Sequence, residues 1–216
     1  MRFLPQLFEN NRAWARAQVA ADPEFFSRLL ALQRPAHLWI GCADSRVPAN
    51  EIVGLAPGEL FVHRNIANLV LPGDENCQAV LQYAVEELRV SHIMVTGHYG
   101  CGGVQAAFGP PSHGPLEGWV AHLRAIKEAH ADELARLPDD GARGHRLCEL
   151  NVMAQVATLS RLPVVTGAWE RGQPLMLHGW IYDLQDGLVR DLQVSLDGPV
   201  SITLAVPPRE VNPRPR

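Results

Sequence analysis

The apolar residues between Cys77 and Leu88 fall at Cys77, Val80, Leu81, Ala84, Val85 and Leu88, with Glu86, Glu87 and Arg89 outside that set. This is the one-sided stripe of an amphipathic helix. Upstream, Leu4–Val19 reads as a helix, and Asp22-Pro23 opens another that runs to about Leu32, before Pro35. Short apolar runs bounded by turn residues predict buried strands at Ala36–Cys42, Leu60–Arg64 and His92–Gly97, with Val164–Trp169 as a fourth. A Pro/Gly-rich connector, Val47–Gly58, separates the first two. Leu116–Ala135 and Gly144–Leu162 read as helices on either side of the loop Pro138–Gly144. Leu175–Leu184 and Leu188–Val194 alternate around Gln185-Asp186-Gly187, which predicts a hairpin. Strands separated by helices and closed by one hairpin predict an α/β domain. Its mostly parallel sheet has about four parallel strands and an antiparallel edge strand, flanked by helices, with an N-terminal helical arm over about 1–33. The domain is expected over 1–205. The tail from Val206, with four prolines in eleven residues, is expected to be disordered.

Composition narrows the chemistry. At 216 residues, 47% hydrophobic and 19% charged, the chain can bury a core. A net charge of −4 with no basic face argues against nucleic acid. No apolar run is long enough for a membrane span, and the N-terminus lacks the apolar segment of a signal peptide. Four cysteines in a chain of this length do not make a disulfide framework, so a cytoplasmic, reduced protein is expected, with thiols free to bind metal. Lys127 is the only lysine, in a charged run that suits neither a P-loop nor a Schiff base. No Asp, Glu, Lys or Arg occurs from Val90 to Leu116. That stretch marks a buried strand followed by a glycine-rich turn.

Two strand tips carry the chemistry. The first ends at Cys42-Ala43-Asp44-Ser45-Arg46, the third at Gly97-His98-Tyr99-Gly100-Cys101-Gly102-Gly103. In open α/β sheets, sites form beyond the carboxyl ends of strands where strand order reverses, so neighbouring tips at that point converge. Cys42, His98 and Cys101 offer two thiolates and one imidazole, a donor set suited to tetrahedral Zn²⁺ with one position open. Asp44, two residues past Cys42, can be the fourth ligand, or Arg46 can hold its carboxylate in a bidentate pair.

These motifs resemble the zinc signature of the β-class carbonic anhydrases. The likeness continues in Glu59-Leu60-Phe61-Val62-His63-Arg64-Asn65-Ile66-Ala67-Asn68, in Cys148-Glu149-Leu150-Asn151-Val152 and in His178-Gly179-Trp180, and spans about Phe3 to Val194. The resemblance implies a cytoplasmic enzyme with one Zn²⁺ per chain that interconverts CO₂ and bicarbonate, zinc supplying the nucleophilic hydroxide. It implies a homodimer formed by helix exchange and sheet extension that assembles to a homotetramer. Cys42, Asp44, His98 and Cys101 are its metal residues, and Asp44 with Arg46 its gate and orienting dyad. Gln33, Ile66, Ala67, Val70, Tyr83 and Gly102 are its candidate substrate contacts. Trp39, Arg64 and Tyr182 match a second, regulatory bicarbonate site found in the bacterial, allosterically regulated members. Two other readings stay open: a zinc hydrolase of a CO₂ analogue such as carbonyl sulfide or carbon disulfide, and a non-enzymatic zinc or redox-sensing domain with Asp44 permanently closing the site.

The remaining candidates read as structural. His37, His63, His92 and His178 are expected in core or edge positions, and His113, His122, His130 and His145 on the solvated surface. Cys77 and Cys148 are expected as packed thiols.

Overall fold

The computed structural model describes residues 3–31, 33–111 and 113–199, so the Pro-rich tail lies outside the described residues. Strands β1 (His37–Cys42), β2 (Leu60–Asn65), β3 (His92–His98), β4 (Met176–Asp183) and β5 (Leu188–Asp191) form one sheet in the order β2-β1-β3-β4-β5. The first four are mutually parallel and β5 runs antiparallel to β4, as the sequence predicts. Strand order reverses between β1 and β3.

Both faces of β1 are covered, which is why its sequence is apolar throughout rather than alternating. On one face Leu38 and Ile40 join Ile93, Val95, Leu177 and Ile181 against the long helix α8 (Asp140–Leu159), whose Leu147, Val152, Val156 and Leu159 are buried. On the other, Trp39, Leu60 and Met94 pack on Ala49 and Ile52 of α3 (Ala49–Val53). The connector after β1 therefore contains a short helix that its Pro and Gly content conceals.

The fourth expected strand is a correction. Pro163–Glu170 is a helix, α9, with Pro163 in its first turn and Val165 and Ala168 buried one turn apart. A short apolar run does not distinguish strand from buried helix by period, and proline at the first helical position is the deciding signal. The fourth parallel strand is instead Met176–Asp183, half of the expected hairpin. Other boundaries move for local reasons. Asp74 caps α4 (Glu75–Gln82) by accepting from Asn76 N–H at 3.1 Å, so the helix starts before Cys77 and continues into a π turn at Tyr83–Glu87. Asp139 caps α8 by accepting from Ala142 N–H at 2.7 Å. The expected helix Leu116–Ala135 is broken at His130 into α6 (Gly114–Ala129) and α7 (Ala131–Ala135). The glycine-rich turn after β3 coils into α5 (Gly102–Ala106).

The N-terminal arm consists of α1 (Pro5–Ala21) and α2 (Phe25–Ala31). Trp14 meets Phe25 and Phe26 edge to face. No residue of α1 is buried, and Phe3, Leu4, Leu7, Phe8, Trp14 and Val19 are all exposed.

Close packing of α8 on the sheet sets a testable limit. A Cβ at Gly97 would lie 2.7 Å from Val152 Cγ2 and 3.2 Å from Ile181 Cδ1. Gly97→Ala should therefore destabilise the fold by about 1–3 kcal/mol. Urea denaturation measures this as a lower midpoint at unchanged slope.

Candidate metal centre at the β1 and β3 tips

Parallel pairing of β1 with β3 brings their carboxyl ends side by side, Gly41 opposite Thr96. Cys42 is the last residue of β1 and His98 the last of β3. Gly100 takes a positive φ of 69°, turning the chain so that Cys101 returns beneath the β1 tip. Cys42 Sγ and Cys101 Sγ lie 3.8 Å apart. Two sulfurs bound at about 2.3 Å to a tetrahedral zinc are separated by about 3.8 Å, so the pair already has the spacing of a zinc cage.

The imidazole is also prepared. His98 Nδ1 lies 3.1 Å from Tyr99 O. A carbonyl only accepts, so Nδ1 carries the proton and Nε2 the lone pair. That Nε2 is buried with no hydrogen-bond partner among the described residues. Ligand atoms of Cys42, His98 and Cys101 all lie within 4.8 Å of one another. An unpartnered buried lone pair facing two buried thiols fits zinc, because a metal ion satisfies all three at once. The two thiols share one hydrogen bond. This draws the Cys42 thiol well below its usual range, while the same contact and burial push Cys101 up.

Asp44 is held beside this cage. Arg46 grips it through Nε–Oδ1 at 2.9 Å and Nη2–Oδ2 at 2.7 Å, and the Arg46 N–H adds a third bond to Oδ1 at 2.9 Å. These hydrogen bonds hold the Asp44 carboxyl well below the usual carboxylate range. Its Oδ2 is 3.7 Å from His98 Nε2. Arg46 Nη2 also reaches Gly100 O at 3.3 Å, tying the two motif loops together. Arg64 braces the same loop from β2, donating from Nε to Cys42 O at 2.8 Å and from Nη2 to Asp44 O.

The other predicted residues divide. Ala67 is buried, and its N–H points at Cys42 Sγ at 3.4 Å. Val70 is buried and Ile66 is exposed. Gly102 stands in open space, and Gly103 sits against Ile66, where a Cβ would come within 2.7 Å of Cγ2. Tyr83 is exposed and tilted against Phe61. Gln33 does not join this group: it precedes the amino end of β1, opposite the tips, and lines a concavity with Arg34, Glu87, Arg89 and Ser91. Trp39, Arg64 and Tyr182 project from one sheet face, since Trp39 and Gly41, two residues apart, share a face of β1, Gly41 pairs with Arg64, Trp39 pairs with Met94, and Met94 and His98 pair with His178 and Tyr182. The indole of Trp39 lies over Gly41.

Sequence reasoning assigned no role to the residues that hold the Ile66–Val70 wall. Ala67 and Asn68 are both left-handed, at φ 61° and 48°. Asn151 Nδ2 donates to Ala67 O at 2.8 Å, Gln155 Oε1 accepts from Val70 N–H at 2.8 Å, and Gln155 Nε2 donates to Asn151 Oδ1 at 2.9 Å. Trp119 Nε1 donates to Ile66 O at 2.7 Å. The one available signal was a buried Asn and Gln spaced i, i+4 on an otherwise apolar helix face.

Comparison with known proteins agrees with this arrangement. The carbonic anhydrase family model matches residues 37–189. A carbonic anhydrase of Emericella nidulans is 48% identical over 201 residues, covering 91% of this chain and 88% of that protein. One from Pseudomonas aeruginosa is 37% identical, covering 81% of this chain and 80% of its own. Among solved structures, the Coccomyxa β-carbonic anhydrase in complex with acetazolamide superposes with a TM-score of 0.86 at 39% identity, over 92% of this chain and 90% of that one. A tetrameric β-carbonic anhydrase of Sordaria macrospora gives 0.85 at 38% identity, over 91% and 100%. With a family match running from β1 into β5, the chain belongs to the β-class carbonic anhydrases and is an enzyme of that family.

Proposed function

We propose that this enzyme reversibly hydrates CO₂ to bicarbonate and a proton, with one zinc per chain held by Cys42, His98 and Cys101 and with Asp44 and Arg46 as its gate and orienting pair. The observation that carries the reading is the doubly held Asp44 carboxylate beside the unpartnered Nε2 of His98. When bound, zinc supplies the Lewis acidity that brings ionisation of a water toward neutral pH. The chain does the rest. Asp44 is an acceptor fixed in place, so a water beside it donates one hydrogen to the carboxylate and turns its lone pair toward the incoming carbon. Arg46 keeps Asp44 ionised and keeps it off the cage. Ile66, Ala67 and Val70 offer an apolar wall that suits an uncharged, apolar substrate. The Gly102 N–H is a candidate donor to the oxygen on which charge develops as bicarbonate forms. A permanently closed structural zinc site has no use for a cation that draws its fourth ligand away, which favours the enzyme over the structural reading.

The reading extends to regulation. Arg64 braces the Asp44 loop by holding two of its backbone carbonyls. Bicarbonate held by Arg64, with the Trp39 indole and Tyr182 phenol as neutral donors, competes for that guanidinium. Releasing the brace frees Val47-Pro48 to move, breaks the Asp44–Arg46 pair and lets Asp44 close on the metal. Linkage then requires bicarbonate to bind the closed state more tightly. The exposed apolar face of α1 suits helix exchange in a homodimer, a tetramer being two such pairs. Among the described residues, no helix is long and apolar enough to cross a membrane. All four cysteines are free, which suits the cytoplasm.

Three outcomes test this. Cys101→Ser should lower both zinc content and CO₂ hydration, measured by metal analysis and stopped flow. Full zinc with full activity would overturn the ligand assignment. Asp44→Asn and Arg46→Ala should each keep most of the zinc yet lose about 10²–10³-fold in hydration rate, the scale of losing one organised transition-state contact. Wild-type rates at full occupancy would refute the dyad, and turnover of carbon disulfide in preference to CO₂ would move the chain to the analogue hydrolases. For regulation, wild-type activity should fall as bicarbonate rises and pH drops, and Arg64→Ala should respond less. An identical response places the regulatory site elsewhere.

A further inference from the structure

A second group of ligand-type side chains lies one strand away from the first, on the same side of the sheet. His63 on β2, with Asp74 and Cys77 at the start of α4, places a ring nitrogen, a carboxylate oxygen and a sulfur within 4.8 Å of one another. In register, His63 pairs with Ile40 as Asn65 pairs with Cys42, so His63 shares a sheet face with Cys42. Cys77 is fully buried and His63 is 7% exposed.

Packing explains a buried cysteine. It does not explain an imidazole and a carboxylate beside it. Asp74 caps α4 through Oδ1, accepting from Asn76 N–H. Cys77 Sγ makes no hydrogen bond among the described residues. His63 Nε2 has one long contact, 3.3 Å to Asn65 Nδ2, and that amide also donates to Leu69 O at 2.7 Å. Burial pushes the His63 pKa down, keeping the ring neutral and able to bind metal. One carboxylate, one thiolate and one neutral imidazole carry two negative charges, matching a divalent cation of borderline softness with a fourth position left for water. The ligand atoms, within 4.8 Å of one another, must close to the roughly 3–4 Å of a tetrahedral cage.

We propose that His63, Asp74 and Cys77 form a second, more weakly held divalent-metal site of the Zn²⁺ or Co²⁺ type, separate from the Cys42, His98 and Cys101 centre. Binding exchanges the Cys77 S–H proton for an S–metal bond and releases that proton to solvent. The site would staple β2 to α4 and so close the segment between them. That segment carries Arg64, which braces the Asp44 loop, and Ala67, whose N–H reaches Cys42 Sγ. Occupancy therefore stiffens the wall of the catalytic centre without supplying a ligand to it.

The test is Co²⁺ titration of the zinc-loaded enzyme, following equivalents bound per chain, the thiolate-to-cobalt charge-transfer band and the melting temperature. The wild type should take up one equivalent beyond its zinc, with a charge-transfer band and a higher melting temperature. Cys77→Ser should lose the band. His63→Ala should bind the added cobalt at least tenfold more weakly. Asp74→Asn should do the same while keeping the helix cap, because asparagine caps as well as aspartate. Retained catalytic zinc and an unchanged near-ultraviolet circular dichroism spectrum show that each variant is folded. Uptake that stops at the catalytic equivalent in the wild type overturns the proposal. So does a cobalt band of full strength in Cys77→Ser, which would assign it to exchange at the first centre.

Discussion

Parallel pairing of β1 with β3 is the contact on which the molecule turns. The two strands are not consecutive in the chain: β2 lies between them in sequence and on the far side of β1 in space. That reversal opens the crevice at the carboxyl ends, as it does in other open α/β sheets. Because residues are in register, the strand ends stop at the same height. The turn at Gly100 then brings Cys101 back to Cys42 at the neighbouring strand end. The cage is set by strand length and pairing, and side-chain rotamers only finish it.

Around that contact the polar groups form two braces at different depths. The outer one is ionic: Arg46 and Arg64 both seize the short loop after β1, one by its carboxylate and one by its carbonyls. The inner one is neutral: Asn151 and Gln155 reach from α8 to the left-handed turn at Ala67 and Asn68. Left-handed backbone at non-glycine residues costs about 1–3 kcal/mol, and the two buried amides make up that cost by meeting carbonyl and N–H groups that would otherwise be orphaned. An ionic brace can be contested by an anion. The inner brace is closed to solvent and has no such competitor.

Much of this was legible in the sequence because it is written in spacing. Cys42 and Asp44 sit two residues apart at the strand end, Asp44–Val47 is a tight turn that folds Arg46 back onto Asp44, and His98-x-x-Cys101 is a second tight turn. The sheet was legible because β1 and β3 are apolar on both faces. What escaped was decided by tertiary contact. Val164–Trp169 is as apolar as a strand, yet Pro163 begins a helix there. Asn151 and Gln155 look like ordinary helix polars until the Ala67 turn is brought against them. His63 and Cys77 each read as a packed core residue, because fourteen positions of sequence hide their proximity.

The 59-residue separation of Cys42 and Cys101 bears on how the chain folds. Closing so long a loop is entropically costly, and no local contact offsets that cost before the sheet exists. The three donors come together only where β3 is docked on β1. Until then the thiols belong to separate stretches of chain, each able to bind metal only weakly and alone. An ion that engages both thiols and the imidazole at once therefore requires the two central strands to be paired.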